Sequence, residues 1–196
     1  CESIVFNTVL IEPSIVTAAT VSVKDISCFG ADDGWIIFDS LAANVGGTPD
    51  YEFSIDNGTN WQSSATFTDL TPGNYLGLVR DTNGCISANL LDLQIVEPTE
   101  LQMSLVDSSN STCFGSSDGF VQLSASGGSP DPSTGDYEYS NDGGATWVNN
   151  NLFANLDVGT YQFLVRDDSG CVAPAVPLEI TLTEPTQLIP AAEVKT

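Results

Sequence analysis

An internal repeat of about 85 residues is the feature that most restricts how this chain can fold. The segment "CFGADDGWIIF", which begins at Cys28, returns as "CFGSSDGFVQL" at Cys113. Further along, "YEFSIDNGTNW" returns as "YEYSNDGGATW", and "LTPGNYLGLVRDTNGC" returns as "LDVGTYQFLVRDDSGC". The constant order of these pairs predicts two copies of one small domain rather than a single large core.

The repeat divides the 196-residue chain into four segments. The opening "CESIVFNTVLIEP" resembles the tail of each repeat, so we predict that residues 1–13 are the last strand of a preceding repeat. Residues 14–98 and 99–185 are the two complete repeats, and residues 186–196 start a following repeat or a linker. Because a proline and few other residues separate the two repeats, we expect them to form a semi-rigid rod.

Each repeat carries the local signals of a β-sandwich. Segments such as "GWIIFDSL" and "NYLGLVRD" are rich in β-branched and aromatic residues, and several alternate apolar with polar residues. Turn signals such as "DNG", "TPG" and "TNG" recur about every 8–12 residues, and no window has a helical period. We predict an all-β fold of tandem immunoglobulin-like antiparallel β-sandwiches, with roughly seven short strands in each repeat.

A tyrosine follows a glycine-containing turn at the same place in both repeats. The segments "LTPGNY" and "LDVGTY" end at Tyr75 and Tyr161. Both resemble a tyrosine corner, in which the phenolic hydroxyl donates a hydrogen bond to the backbone near the turn. We therefore predict a structural role for these two tyrosines.

The charge of the chain argues against two classes of partner. Twenty-six Asp and Glu oppose four Lys and Arg, which gives a net charge of −22. Phosphate binding requires clustered cations, so nucleic acid and anionic membrane surfaces are both disfavoured. No apolar run reaches the roughly 18 residues of a membrane-spanning helix, and we expect no membrane insertion. An acidic surface either attracts cations such as calcium or keeps an extracellular protein soluble.

The five cysteines indicate disulfides and an oxidising, extracellular compartment. Each complete repeat has one cysteine before its second strand and another after its "RD-x-x-G" turn. The natural pairing is therefore Cys28–Cys85 and Cys113–Cys171, which leaves Cys1 unpaired. Each bond would close a loop of about 60 residues, worth about 4 kcal/mol in the chain-entropy description. The rival interpretation is a zinc site, against which the lack of His and of a C-x-x-C pair argues.

One segment follows the Asp-box pattern S-x-D-x-G-x-T-W, best known from sialidases, and a second nearly matches it, with Asn60 in place of the Thr. The segment "SNDGGATW" contains Asp142 and Trp147, and "SIDNGTNW" contains Asp56 and Trp61. In such a box the Asp accepts backbone hydrogen bonds within a tight hairpin, and the Trp packs beneath the turn. Sialidases also hold their substrate carboxylate with a cluster of arginines, whereas this chain has one arginine in each repeat. We therefore predict that both boxes stabilise hairpins.

The residue inventory argues against an enzyme. The absence of His excludes Ser-His-Asp and Cys-His arrangements. A carboxylate pair for glycoside hydrolysis needs a deep cleft, which two copies of a small sandwich rarely form. We therefore expect no catalytic residues in this chain, and no cofactor other than a bound cation.

Calcium is the cation that the turns of the repeats favour. Asp33 and Asp81 in the first repeat, and Asp118 and Asp167 in the second, lie in turns near the ends of the predicted disulfides. If each disulfide holds its two turns together, the two carboxylates approach each other and offer calcium its preferred oxygen ligands. The alternative is ordinary turn chemistry, in which Asp precedes Gly for conformational reasons.

Taken together, these motifs resemble the SprB-type repeat. The string "CFG-x-x-DG", "GG-[TS]-P", "Y-E-[FY]-S", "L-x-x-G-x-Y" and "V-R-D-x-x-G-C" runs in the same order through both copies. This repeat occurs in very large cell-surface adhesins of gliding bacteria and in related secreted proteins. The resemblance implies export through the outer membrane by the type IX pathway. It also implies display as a long filament that attaches to surfaces or polysaccharide.

Three functions stay open at this point. The first is a structural repeat segment of a secreted, surface-displayed adhesin or filament, which acts as a spacer among neighbouring repeats and contributes to attachment. The second is a glycan-binding module, with Trp35 as its candidate contact, although packing in the core or at a sheet edge explains that residue equally well. The third is a subunit of an extracellular polymer, joined to other copies of itself through Cys1 or through exchange of the strand "SIVFNTVLI".

Overall fold

The structure, a computed structural model, describes residues 12–18, 20–38 and 46–190. These residues form twelve β-strands joined by turns, with no α-helix among them. They divide into two compact units. The first comprises the residues up to Ile26 together with Ala31–Glu97, and the second comprises Ser27–Gly30 together with the residues from Pro98 onward. Over these described ranges there is no helix of the length and apolarity that crossing a membrane requires.

The first unit is a sandwich of two antiparallel sheets. Its strands in the described residues are β1 (Val21–Lys24), β2 (Gly34–Phe38), β3 (Glu52–Ser54), β4 (Thr66–Leu70), β5 (Gly73–Arg80) and β6 (Leu91–Ile95). One sheet has the order β1-β2-β4 and the other has the order β3-β5-β6. The apolar faces of the two sheets meet in a core of eight buried residues: Val16, Ala18, Ile26, Ile36, Phe38, Phe53, Val79 and Ile95.

The second unit repeats this arrangement strand for strand. Its strands are β7 (Gln102–Ser109), β8 (Gly119–Ser126), β9 (Glu138–Ser140), β10 (Leu152–Leu156), β11 (Gly159–Arg166) and β12 (Val172–Leu182). They form sheets of the order β7-β8-β10 and β9-β11-β12. The buried core consists of Leu101, Val121, Leu123, Tyr139, Phe163, Val165, Ala173 and Leu182. The prediction of an all-β, immunoglobulin-like antiparallel fold is confirmed.

The central strand β8 illustrates how the sequence builds this core. Successive side chains of a strand point to opposite faces of the sheet. Gly119, Val121 and Leu123 accordingly face the core, whereas Phe120 and Gln122 face outward. The alternation of apolar and polar residues in "GFVQL" is therefore the pattern of a sheet with one buried face.

The second unit has six strands where the sequence led us to expect about seven. Residues 98–190 are described without a gap, and the segment between β9 and β10 forms no ladder. Two isolated backbone bridges involve this segment: Tyr139 pairs with Val148, and Asp142 pairs with Gln162. The side chain of Asn151 then donates to the carbonyl of Leu123 at 2.9 Å. A polar Asp-box turn followed by asparagines thus replaces the expected strand.

The register of β11 determines which turns lie at which end of the second sandwich. Gly159 pairs with Leu182 at the start of β11, and Arg166 pairs with Val172 at its end. The strand has eight residues. At about 3.3 Å per residue, its two ends lie about 25 Å apart. The turn that precedes Val172 therefore lies far from every turn near Gly159.

The turn that carries Cys113 lies at the start of β11. Ser111 N donates to Thr183 O at 3.0 Å, directly beyond the end of β12 that pairs with the start of β11. In the first unit, Ile26 N donates to Val96 O at 3.0 Å in the same way, beside the start of β5.

Candidate functional site

The Asp box of the second unit is a closed network of hydrogen bonds around Asp142. Its Oδ1 accepts bonds from Ser140 Oγ at 2.7 Å and from Thr146 N at 2.9 Å, while its Oδ2 accepts one from Thr146 Oγ1 at 2.6 Å. Ser140 Oγ in turn accepts a bond from Gly144 N at 2.9 Å. The carboxylate therefore acts as a clamp on its own hairpin.

The first unit builds the same box with one different side chain. Asp56 accepts bonds from Asn60 N at 2.9 Å and from Asn60 Nδ2 at 2.6 Å, so that Asn60 replaces the threonine of the pattern. The backbone N–H of Asn60 is the main cause that lowers the pKa of Asp56. Asn57 and Gly58 have φ angles of 58° and 80°, as the two central residues of a type I′ turn require.

Each box is completed by a stack of tryptophan, arginine and glutamate. The guanidinium carbon of Arg166 lies 4.7 Å from the ring centroid of Trp147, and its Nε donates to Glu138 Oε2. In the first unit, Arg80 lies 4.5 Å from the ring of Trp61, and Glu52 is its carboxylate partner. The stacking of each arginine on a tryptophan ring was not predicted from the sequence.

Asp142 is expected to make the stability of the second unit depend on acid. The side-chain hydroxyl and backbone N–H of Thr146, with the hydroxyl of Ser140, lower the pKa of Asp142 from 3.8 to about 2. Because the pKa is lower in the folded state, the stabilisation is complete above pH 3.8 and is lost as the pH falls toward 2. We expect the melting temperature of Asp142→Asn to lie below that of the wild type at pH 6. The difference between the two melting temperatures should narrow between about pH 4 and pH 2.

Thermal melts followed by circular dichroism across this pH range measure that difference. The control is Asp168→Asn, which changes an exposed aspartate of the same unit. A difference between Asp142→Asn and the wild type that stays constant from pH 6 to pH 2 would contradict the prediction.

Tyr75 and Tyr161 form tyrosine corners in the structure. Tyr75 Oη donates to Thr71 O at 2.7 Å, and Tyr161 Oη donates to Asp157 O at 3.1 Å. Each bond reaches back four residues across the turn that precedes β5 or β11. The corner therefore fixes the entry of the chain into the central strand of its sheet.

Asp81 and Asp167 are buried clamps between two loops of their own unit. Asp167 is 3% exposed, and its two oxygens accept bonds from Ser129 N at 2.8 Å and from Cys171 N at 2.9 Å. Asp81 accepts the equivalent bonds from Thr48 N and Cys85 N, and the N–H of Thr48 is the main cause that lowers its pKa.

The "GG-[TS]-P" motif provides the space for this clamp. A Cβ atom on Gly128 would lie 2.5 Å from Asp167 Oδ2, and Gly128 has a φ of +60°. The joint occurrence of "GG" and "VRD" in both repeats was the sequence signal for this contact, which our sequence reasoning missed.

The predicted pairing of Asp33 with Asp81, and of Asp118 with Asp167, is wrong. In each pair one residue lies beside the start of the central strand β5 or β11 and the other follows its end, so the two are separated by about the length of the strand. Asp33 instead forms an ion pair with Lys24 at 2.7 Å. Within residues 12–18, 20–38 and 46–190, no three His, Cys, Asp or Glu residues gather as a metal site.

Asp118 belongs to a small turn network. Its carboxylate accepts bonds from the hydroxyls of Ser116 and Thr112, and Ser116 is the main cause that lowers its pKa to about 2. These hydrogen bonds are the ordinary turn chemistry that the sequence analysis gave as the alternative.

The predicted disulfides Cys28–Cys85 and Cys113–Cys171 are also wrong. The structure instead contains a bond between Cys28 and Cys171, whose Cα atoms are 5.6 Å apart. The physical reason is the register of the central strands. Cys113 lies near the start of β11 and Cys171 follows its end, so the Cα atoms are much farther apart than the 4.4–6.8 Å that a disulfide requires. Cys28 is bonded to Cys171 and therefore cannot be bonded to Cys85.

Cys85 and Cys113 are free thiols, and both are exposed. Cys1 and the segment "SIVFNTVLI" lie outside the described residues, so the predictions about them stay predictions. Trp35 lies on the outward face of β2, half-buried and opposite Lys24.

Comparison with known proteins gives one family and a structural likeness. Residues 20–60 and 105–146 match the family model of the SprB repeat, once in each unit. No curated protein matches the chain. The crystal structure of a C-terminal 282-residue fragment of intimin, in complex with the intimin-binding domain of the translocated intimin receptor, matches with a TM-score of 0.39 and 15% identity. That match covers 89% of this chain and 63% of the intimin chain, so this chain spans less than two thirds of it.

Proposed function

We propose that this chain, which carries two SprB repeats, is a structural segment of a secreted, surface-displayed adhesin. Its role is that of a spacer, which holds other parts of the adhesin away from the cell. The segment itself is non-catalytic.

The observation that carries this proposal is the use of polar side chains inside each repeat. The carboxylates of Asp142 and Asp167 accept hydrogen bonds from their own unit, as do those of Asp56 and Asp81. The lone pairs that accept these internal hydrogen bonds are not available to a ligand. Equivalent residues accept the same hydrogen bonds in both units. This is expected where selection maintains a fold rather than one binding site.

The arginines support the same proposal. A substrate carboxylate would need a free guanidinium, but Arg80 is bonded to Glu52 and Arg166 to Glu138, and each lies over a tryptophan ring. The net charge of −22 also suits a long extracellular protein, because like charges keep neighbouring molecules apart.

The test is to remove one repeat from the native protein. We expect deletion of residues 99–185 to bring immunogold-labelled distal parts of the filament closer to the cell, with surface attachment unchanged. The measurements are electron microscopy of whole cells and an attachment assay. A matched control is Trp35→Ala, which removes the outward aromatic side chain without shortening the chain.

Two outcomes would overturn the spacer proposal. Loss of attachment in Trp35→Ala, with filament length unchanged, would instead indicate a glycan-binding module. Helical filaments built from short chains, seen by electron microscopy of the secreted protein, would instead indicate a polymer subunit.

A further inference from the structure

The disulfide of this chain joins two cysteines that are not equivalent in the repeat. Cys28 opens the "CFG" motif of the first repeat, and Cys171 closes the "V-R-D-x-x-G-C" motif of the second. Along the sequence, the bond therefore runs from one repeat to the next. Residues Ser27–Gly30 belong to the second compact unit, so the "CFG" turn is part of the unit to which it is bonded.

The two free cysteines occupy the two complementary positions. Cys113 opens the second "CFG" motif, and Cys85 closes the first "V-R-D-x-x-G-C" motif. Both are exposed, and neither has a disulfide partner in the described residues. Neither is bonded to the other cysteine of its own repeat, because Cys28 and Cys171 are bonded to each other.

The local structure presents Cys85 as it presents Cys171. Cys85 N donates to Asp81 Oδ1 at 2.8 Å, and Cys171 N donates to Asp167 Oδ1 at 2.9 Å. The residue after each cysteine is apolar and about half exposed, with Ile86 at 54% and Val172 at 49%. The thiol of Cys85 is therefore already held in the position that accepts a disulfide partner at Cys171.

The "CFG" turns are equally alike. Gly30 and Gly115 have φ angles of 76° and 73°, and Phe29 and Phe114 are 55% and 53% exposed. Phe29 lines a cavity of about 470 Å³ in the second unit together with Cys171 and Val172. Phe114 occupies the equivalent position in the second "CFG" turn and is exposed to a similar extent.

We propose that the "CFG" cysteine of each repeat bonds to the "GC" cysteine of the repeat that follows it, so that a covalent staple recurs along the array. Cys113 then forms a disulfide with the "GC" cysteine of a following repeat, and Cys85 forms one with the "CFG" cysteine of a preceding repeat. The partner is another repeat of this type. The inference rests on the proposed function, because it requires a tandem array.

The chemistry is thiol–disulfide exchange. Two cysteine thiols lose two protons and two electrons as the S–S bond forms, and a small-molecule disulfide such as oxidised glutathione accepts them and leaves as two thiols.

The test is a three-repeat chain made by inserting a second copy of residues 99–185 after Pro185. Thr99 of the inserted copy then follows a Glu-Pro pair, as it does at Glu97-Pro98. After oxidation with oxidised glutathione, non-reducing digestion and mass spectrometry identify the bonded peptides. We expect two disulfides per molecule, Cys28–Cys171 and Cys113 to Cys171 of the inserted copy, with Cys1, Cys85 and Cys113 of the inserted copy still reactive to iodoacetamide. In Cys113→Ser, the second bond is expected to be lost and the first retained.

A molecule that contains Cys28–Cys171 but leaves Cys113 free, or bonds it within its own repeat, overturns the proposal. The Cys28–Cys171 bond serves as the internal standard for folding of the chain. The same peptide map on the native secreted protein provides a second test that needs no inserted repeat. The peptide map reports covalent bonds alone, so a map without the second disulfide would not contradict the spacer role. A negative result in the deletion and attachment experiment would likewise not contradict the disulfide that the map identifies.

Discussion

Replacing Phe163 with Ala is expected to lower the free energy of unfolding of the second unit by about 3–5 kcal/mol. Phe163 is fully buried on the central strand β11. Its ring meets the ring of Phe153 edge-on at a centroid distance of 5.4 Å, and the ring of Tyr161 lies at 6.2 Å. The truncation removes these contacts and leaves a cavity between the two sheets. Urea titration measures the loss, and hydrogen exchange with mass spectrometry assigns it to the second unit.

The matched control is Phe114→Ala, which removes the same side chain from an exposed turn of the same unit. We expect that variant to change the free energy of unfolding by less than about 0.5 kcal/mol. Equal losses in the two variants would show that the sheets do not pack around Phe163 as described.

Replacing Asp167 with Ala is expected to cost the second unit roughly 2–4 kcal/mol, because two backbone N–H groups lose their acceptor. These groups belong to Ser129, in the loop after β8, and to Cys171, in the turn before β12. Both loops should open together, so amide exchange at Ser129 and Cys171 should accelerate well beyond the change in the strands. Denaturant titration and residue-resolved hydrogen exchange measure the two effects.

The neighbouring aspartate provides the control for this prediction. Asp168 is exposed, and its backbone N–H bonds to Ser129 O whatever side chain it carries. Asp168→Ala is expected to change stability by less than about 0.5 kcal/mol. If Asp167→Ala behaved like Asp168→Ala, the buried carboxylate would not be a clamp.

Local features of these repeats could be predicted from the sequence because their partners are a few residues away. The bonds of Asp142 to Thr146 and of Tyr75 to Thr71 each span four residues, so a motif contains both members. The alternation of apolar residues in β2 and β8 likewise indicated which side chains face the core.

Contacts between distant turns could not be predicted in the same way. The pairing of Cys113 with Cys171 assumed that turns which bracket a repeat lie together. Each strand carries the chain to the opposite end of the sandwich. Four strands, β8 to β11, and the return segment between β9 and β10 separate these cysteines, which makes five passes. An odd number of passes places the two turns at opposite ends of the sandwich. Counting the predicted strands between the two cysteines could therefore have excluded this disulfide.

The bond between Cys28 and Cys171 also determines how the chain responds to a pulling force. Tension applied at the two termini passes through this bond, so the residues between the two cysteines carry none of it. Those residues span a sequence separation of 143. At about 3.4 Å per residue, about 480 Å of contour length is withheld from stretching even when both sandwiches unfold. A protein that carries load outside the cell would in this way keep its reach nearly constant until the bond is reduced.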